Sequence, residues 1–314
     1  MKSRLPWQIY ILMGAAILLG VLLWQVNRQA PQVDVALEGA AIIAGIPSIP
    51  NLSGWPKELL SELKRVHTAF NDPETRIEAL SSLGELYFAN GFYGEAMQCF
   101  SALVTVVPEE ARWPYFLGIA SRDYQDKTDA IYAFERALML DGSYTNVRYE
   151  LGMALAESGH IMDSVVHFEA LLKIRGWEAW ARYGLARSLF LEERYMDADQ
   201  QLQRAIDLDP EVRKFYELRE EIGLYAGDYE KAKQAGRKRD EIPFEKKPYD
   251  PWVQQLWESC FDVFRLVRLA ESEALEGNAE ASLNMLAKAK SLSGSLGYSG
   301  EDIEAVEKLI QSRR

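Results

Sequence analysis

The chain has 314 residues, 48% of them hydrophobic, which is enough for two ordinary domains or one extended repeat array and too apolar for a disordered segment. With 47 acidic against 35 basic side chains the net charge is −12, and no basic stripe occurs, so no nucleic acid is expected as a partner. Two cysteines, Cys99 and Cys260, are too few for a disulfide framework or a zinc site and read as buried thiols.

Leu5 to Val26 contains no charged residue. Trp7–Trp24, taken as a helix, rises roughly 27 Å, close to the ~30 Å of a bilayer's hydrocarbon core. Trp7, Tyr10 and Trp24 stand where interfacial aromatics are found. A cleaved signal peptide would need a small-residue site after the apolar run, but Arg28 and Pro31 flank Ala30. Residues 7–26 are therefore expected to be an uncleaved single-pass anchor. Lys2 and Arg4 precede the span and Arg28 alone follows it closely, which predicts residues 1–6 in the cytoplasm. The body then lies outside the inner (cytoplasmic) membrane, in the periplasm of a bacterium.

Residues 27–55 read as a linker containing Pro31, Pro47 and Pro50, with a flexible tether as the first reading and docking of this segment as the second. From 56 to 70, Leu59, Leu60, Leu63, Val66 and Phe70 recur at helical spacing and predict an N-terminal capping helix. A period then begins. Leu-Gly or Leu-Ala pairs end at Gly84, Gly118, Gly152 and Ala186, all 34 apart. Ala96, Ala130, Ser164 and Ala198 repeat at the same step, as do Phe100, Phe134, Phe168 and Leu202. Each unit reads as two helices. Small residues let them approach, the aromatic fills the gap, and Gly91 and Gly159 supply a left-handed turn between them. Pro108 and Pro210 stop second helices.

This pattern, LSSLGELY…EAMQCF…VVP, resembles the tetratricopeptide repeat family over residues 77–212, as four units. Leu103 and Leu171 depart from it where the family has a second small residue, and Arg148 and Arg182 stand where it usually has a large apolar one. The fold class expected is all-α, an α-solenoid of helix-turn-helix repeats behind the N-terminal transmembrane helix. Residues 213–242 keep the register through Gly227 and Ala232 and form a degenerate fifth unit, so the array spans 56–242. Prolines 243, 248 and 251 then interrupt the helices, giving an insertion and junction helix over 243–262. Residues 263–314 hold a sixth, degenerate unit around Gly277 and Ala289 and a last helix, expected to cap the exposed end of the stack. Several stacked repeats would then separate Cys99 from Cys260, too far for a bridge.

No phosphate loop, nucleophile elbow or metalloprotease motif occurs. His160, His167 and Asp163 lack a further convergent ligand, and the acid pairs read as solvated helix face. No catalytic residue, metal or cofactor is expected, and the protein reads as non-catalytic. The resemblance places function on a concave groove lined by the first helix of each repeat. Its positions here are Arg112, Tyr115, Arg122, Asn146, Tyr149, Trp180, Tyr183, Arg187 and Phe190. Tyr115, Tyr149 and Tyr183 form a ladder of a residue type common at binding hot spots, but tyrosines at this spacing could equally pack between neighbouring first helices. Ser81 and Glu85 replace the lysine and asparagine of the family's carboxylate clamp, so a chaperone-tail adaptor is not expected. The aromatic stretch Tyr249–Trp252, with Trp257, is a second, vaguer candidate that could equally fill the junction left by the insertion. The expected function is a membrane-tethered protein-protein interaction scaffold or assembly factor holding a peptide or partner domain in the groove. The alternative is a structural subunit of an envelope complex that docks through its convex face or ends. A third class, a hydrolase or carbohydrate binder, would require a polar pocket with convergent acids.

Overall fold

The computed structural model describes residues 46–124, 127–242, 246–275, 277–293 and 300–313. The expected anchor at 7–26 and most of the linker lie outside the described residues. Among those residues there are fifteen α-helices, one 3-10 turn and no strand, and no helix is long and apolar enough to cross a membrane.

α1 (Lys57–Ala69) packs on the first repeat, α2 (Arg76–Ala89) and α3 (Tyr93–Val106). Ile46, Ile49, Leu52 and Trp55 are packed against the same core, and the Trp55 ring lies 4.9 Å from Phe92. This part of the linker is docked rather than a free tether. Four further hairpins follow: α4 (Arg112–Asp123) with α5 (Lys127–Leu140), α6 (Thr145–Glu157) with α7 (Ile161–Leu171), α8 (Glu178–Leu191) with α9 (Tyr195–Leu208), and α10 (Arg213–Tyr225) with α11 (Tyr229–Glu241). Each second helix packs on the first helix of the next repeat, and first helices of neighbouring repeats touch.

The ladder residues build these contacts. Phe100, Phe134 and Phe168 are fully buried. A methyl group placed on Gly84 would stand 2.8 Å from Phe100, and one on Gly118 would stand 2.6 Å from Phe134. Only hydrogen fits there. Phe168 is enclosed twice, by Gly152 of its own repeat at 2.9 Å and by Gly184 of the next at 2.2 Å, measured the same way. Gly184 lies off the 34-residue ladder. The equivalent position one repeat before Gly152's is Phe116, whose ring meets Phe100 at 5.5 Å. Turn residues Gly91, Gly159 and Gly227 have φ of 79°, 84° and 76°, and the fourth repeat puts Glu193 in the same conformation at φ 60°.

After α11 the chain does not extend the stack. Residues 246–262, with α12 (Pro251–Leu256) and the 3-10 turn Trp257–Ser259, cross the concave side back to α2. α13 (Val263–Leu275) and α14 (Ala279–Ser293) pair, α15 (Glu301–Arg313) packs on both, and their core includes Ala89 of the first repeat. The expectation that the last helix caps the exposed end of the stack is therefore corrected, because it packs on a pair that returns to the first repeat. The insertion is a return path, not an enlarged junction between consecutive units. Cys99 and Cys260 are free and buried, but the reasoning from intervening repeats fails, because Cys260 shares a core with Ala89.

Candidate functional site: a concave groove held by its own strap

The first helices of the repeats present Tyr115, Asn146, Tyr149, Trp180 and Tyr183 along one face. Residues 246–262, hereafter the strap, lie across the early part of that face. Asp250 is its anchor. One carboxylate oxygen accepts from the Tyr115 hydroxyl and the other from the Tyr144 hydroxyl. The same carboxylate caps α12, accepting from the backbone N–H groups of Trp252 and Val253, each at 3.1 Å. The Asn146 side-chain amide donates to the Tyr249 carbonyl at 2.9 Å. Trp252 stacks on Tyr144 with ring centres 3.6 Å apart and planes 9° from parallel, and meets Tyr115 edge-on at 5.5 Å. Burial, then the adjacent Asp250 charge, push the Tyr115 and Tyr144 phenols up, so both remain protonated donors.

The strap's far end is bracketed by Asn90, which is buried at the end of α2. Its amide donates to the carbonyls of Leu86 at 2.7 Å and Ser259 at 2.8 Å, and its oxygen accepts from the Phe261 N–H at 2.6 Å. Arg265 of α13 then lies on the turn of the first repeat. Its guanidinium donates to the Tyr93 hydroxyl at 3.2 Å and sits where any side chain on Gly91 would be.

Between strap and groove is a cavity of about 480 Å³, lined by Arg122, Glu150, Tyr149, Trp180, Lys247 and Arg265 among others. Acids do converge on it, but each is engaged. Arg122 pairs with Glu150 and with Asp123, Asp250 is held by two phenols, and Glu157 lies 4.0 Å from Lys127. Burial pushes the Glu150 carboxyl up while Arg122 opposes it. This is a braced network, not a spaced acid–base pair free to act on a substrate.

The predicted groove residues divide by what they touch. Tyr115 and Asn146 hold the chain's own strap. Tyr149, Trp180 and Tyr183 are over nine-tenths buried and pack with Phe168, Trp177 and Phe215 between adjacent first helices. Burial pushes the Tyr183 phenol up to about 12. Arg187 and Phe190 lie toward the open end, where Arg187 pairs with Glu221 at 3.1 Å and Phe190 contacts Tyr195 and the exposed Tyr225. Arg112 pairs with Glu110 at 3.1 Å and covers the Trp113 ring, and Arg122 faces the cavity. Of the two unexpected arginines, Arg182 reaches Gln201 of α9 at 3.0 Å, and Arg148 stands near His167. Tyr144, Asn90 and Arg265 were not singled out by the sequence, and Asp250 lay inside the second candidate stretch, Tyr249–Trp252, which was chosen for its aromatics. An acid followed by proline and tryptophan was the available signal for Asp250, but its seat on Tyr115 lies 135 positions away.

The fold and site define a helical-repeat solenoid whose concave face is crossed by its own strap. Residues 82–144 match the tetratricopeptide repeat family. A tetratricopeptide repeat protein from Parabacteroides merdae has the same fold, with a TM-score of 0.55 over 81% of this chain and 93% of that one at 17% identity. Among curated proteins, the peroxisomal targeting signal receptor of Candida glabrata is 26% identical over 126 residues, 40% of this chain and 20% of the receptor. That of Kluyveromyces lactis is 27% identical over 103 residues, 33% of this chain and 18% of the receptor. The chain thus spans about a fifth of the length of the curated relatives it matches. Together these findings show a helical-repeat fold, with the tetratricopeptide match carried by residues 82–144.

Proposed function

We propose that this protein is a membrane-tethered, non-catalytic scaffold that holds an extended protein segment on its concave face. The observation that carries the reading is that this face already holds one: Asn146 takes a main-chain carbonyl, two phenols take a carboxylate, and Tyr144 shelves an indole. These are the contacts by which a groove recognises a peptide. The curated relatives are named as receptors for a targeting signal, which favours a peptide as the partner class. The tether rests on the apolar run at 7–24, and the extracytoplasmic placement of the body rests on the charges flanking it.

The test is photocrosslinking in native membranes, with a photoreactive residue at Phe190 or Met153 on the groove side and at Met162 or Met196 on the outer side. Crosslinks to one protein from the groove positions are expected. Crosslinks from the outer positions alone would replace this reading with the structural-subunit one. That second reading has its own support, since Tyr132, Met139, Met162, Val166 and Met196 form a run of exposed apolar residues on the second helices. A reporter fused after Arg314 tests orientation, and activity confined to the cytoplasm would overturn it.

A further inference from the structure

We propose that residues Tyr249–Gln254 are an exchangeable internal ligand, and that their seat accepts from a partner protein a segment whose carboxylate caps a helical turn carrying an aromatic ring. This rests on the groove reading above and names the chemistry of its ligand.

Three observations carry it. First, the seat recognises chemistry that does not require covalent continuity. Tyr115 and Tyr144 each donate to one oxygen of Asp250, Asn146 reads the preceding carbonyl, and Tyr144 stacks on Trp252. Any segment with an acid capping a helical turn and an indole two residues on presents the same groups. Second, this part of the strap is fastened through the Asp250, Tyr249 and Gln254 hydrogen bonds and the Trp252 stack, and not by full burial. Tyr249 is 54% exposed, while Trp252 and Val253 are only half-buried. Full burial is first reached at Leu256 and again at Cys260, beside the Asn90 bracket. Release up to Gln254 therefore uncovers the seat while the return path stays fastened. Third, the uncovered seat is selective. Under the strap the Tyr115 ring is fully buried, so any segment that covers the seat again must supply its hydroxyl with an acceptor. A neutral or apolar segment leaves that group unpaired, and a carboxylate restores it.

The experiment uses the full chain and a labelled synthetic peptide of residues 246–259. Affinity is read by fluorescence anisotropy. Because the internal copy competes, the wild-type chain binds the peptide weakly, and a chain carrying Asp250→Ala and Trp252→Ala binds it at least about tenfold tighter. Replacing the peptide's own aspartate by asparagine, or Tyr144 of the chain by phenylalanine, removes most of that gain. Equal affinity for both chains overturns the proposal. Hydrogen exchange on the wild type tests the same point without depending on the variant's folding. The amides of Trp252, Val253 and Gln254 are expected to exchange through an opening that leaves α4 and α6 protected. Exchange only together with α4 and α6 makes the strap a permanent brace and overturns the proposal. The crosslinking arms separate the two readings: a partner captured from Phe190 but never from Met153 preserves the scaffold and removes this inference. Capture from neither removes the groove reading itself.

Discussion

Replacing Gly184 by alanine tests how the repeats are fitted together. The new methyl carbon would stand 2.2, 2.4 and 2.5 Å from three atoms of the Phe168 ring, where ordinary contacts are 3.4–4 Å. The ring must retreat by about an ångström, yet Gly152 closes its other side, leaving 2.9 Å to any group placed there. Overpacking of this kind costs about 1–3 kcal/mol, and the gain in helix propensity from glycine to alanine returns at most about 1 kcal/mol. A net loss of about 1–2 kcal/mol follows, or about 2–8 °C in melting temperature for a body of this size. Thermal unfolding followed by far-ultraviolet circular dichroism measures it. A smaller side chain at the ring position should offset the crowding. Gly184→Ala combined with Phe168→Leu is expected to lose about 1 kcal/mol less than the two single losses added together. A stabilised Gly184→Ala, or strict additivity with Phe168→Leu, would refute the claim that Phe168 is the wedge between the two repeats.

Asn90→Ala removes two donated bonds and one accepted bond at a buried site and is expected to cost about 2–4 kcal/mol, with residues 259–313 becoming the first region to exchange amide hydrogens. Glu193 holds a left-handed conformation that glycine holds in the equivalent turns, so Glu193→Gly is expected to raise the urea midpoint, by about 0.5–1 kcal/mol in stability. Burial keeps His67 and His167 below the usual histidine range, and Arg148 depresses His167 further. Their unfolded forms take up a proton near pH 6.5 and the folded forms only lower, so this stability is complete above about pH 6.5 and is lost as pH falls through the folded values. Glu85, Glu150 and Glu271, pushed up by burial, act in the opposite sense. Urea titrations at pH 7.5 and 5.5 should show a smaller acid loss for His67→Gln/His167→Gln than for the wild type, and an equal or larger loss would contradict the assignment. Burial also pushes the Cys260 thiol up to about 11, and Cys99 higher still. Neither should react with a thiol reagent at pH 7.5 until urea unfolds the chain, and prompt native labelling would contradict their burial.

What the sequence made legible was whatever the period repeats. Gly84, Phe100 and Gly118 are fixed by contacts within one repeat or with the next, so spacing alone locates them. Gly184 and Glu193 escaped because each is an exception inside the period, readable only against the neighbour it packs on or the turn it must complete. Tyr149 and Tyr183 were open between two roles, because a first-helix residue near the groove can face it or lean against the next repeat. Their contacts with Trp177, Trp180 and Phe215 show that they pack between helices, while Tyr149 also lines the groove cavity. The return of the chain was beyond reach for a different reason. It depends on pairs such as Asn90 with Ser259 and Arg265 with Tyr93, separated by 169 and 172 positions, and no local pattern encodes such a meeting.

That return has a mechanical consequence. In an open solenoid each unit touches only its neighbours, so a pull on the two ends peels repeats away one by one, and the body stretches like a spring. Here the last units are buttoned to the first. Tension applied between residue 46 and residue 313 is borne by the Asn90 bracket and the Arg265–Tyr93 clasp before it reaches the stack between them. The force–extension trace should therefore open with one yield event at the clasp, followed by the stepwise lengthening of five released hairpins.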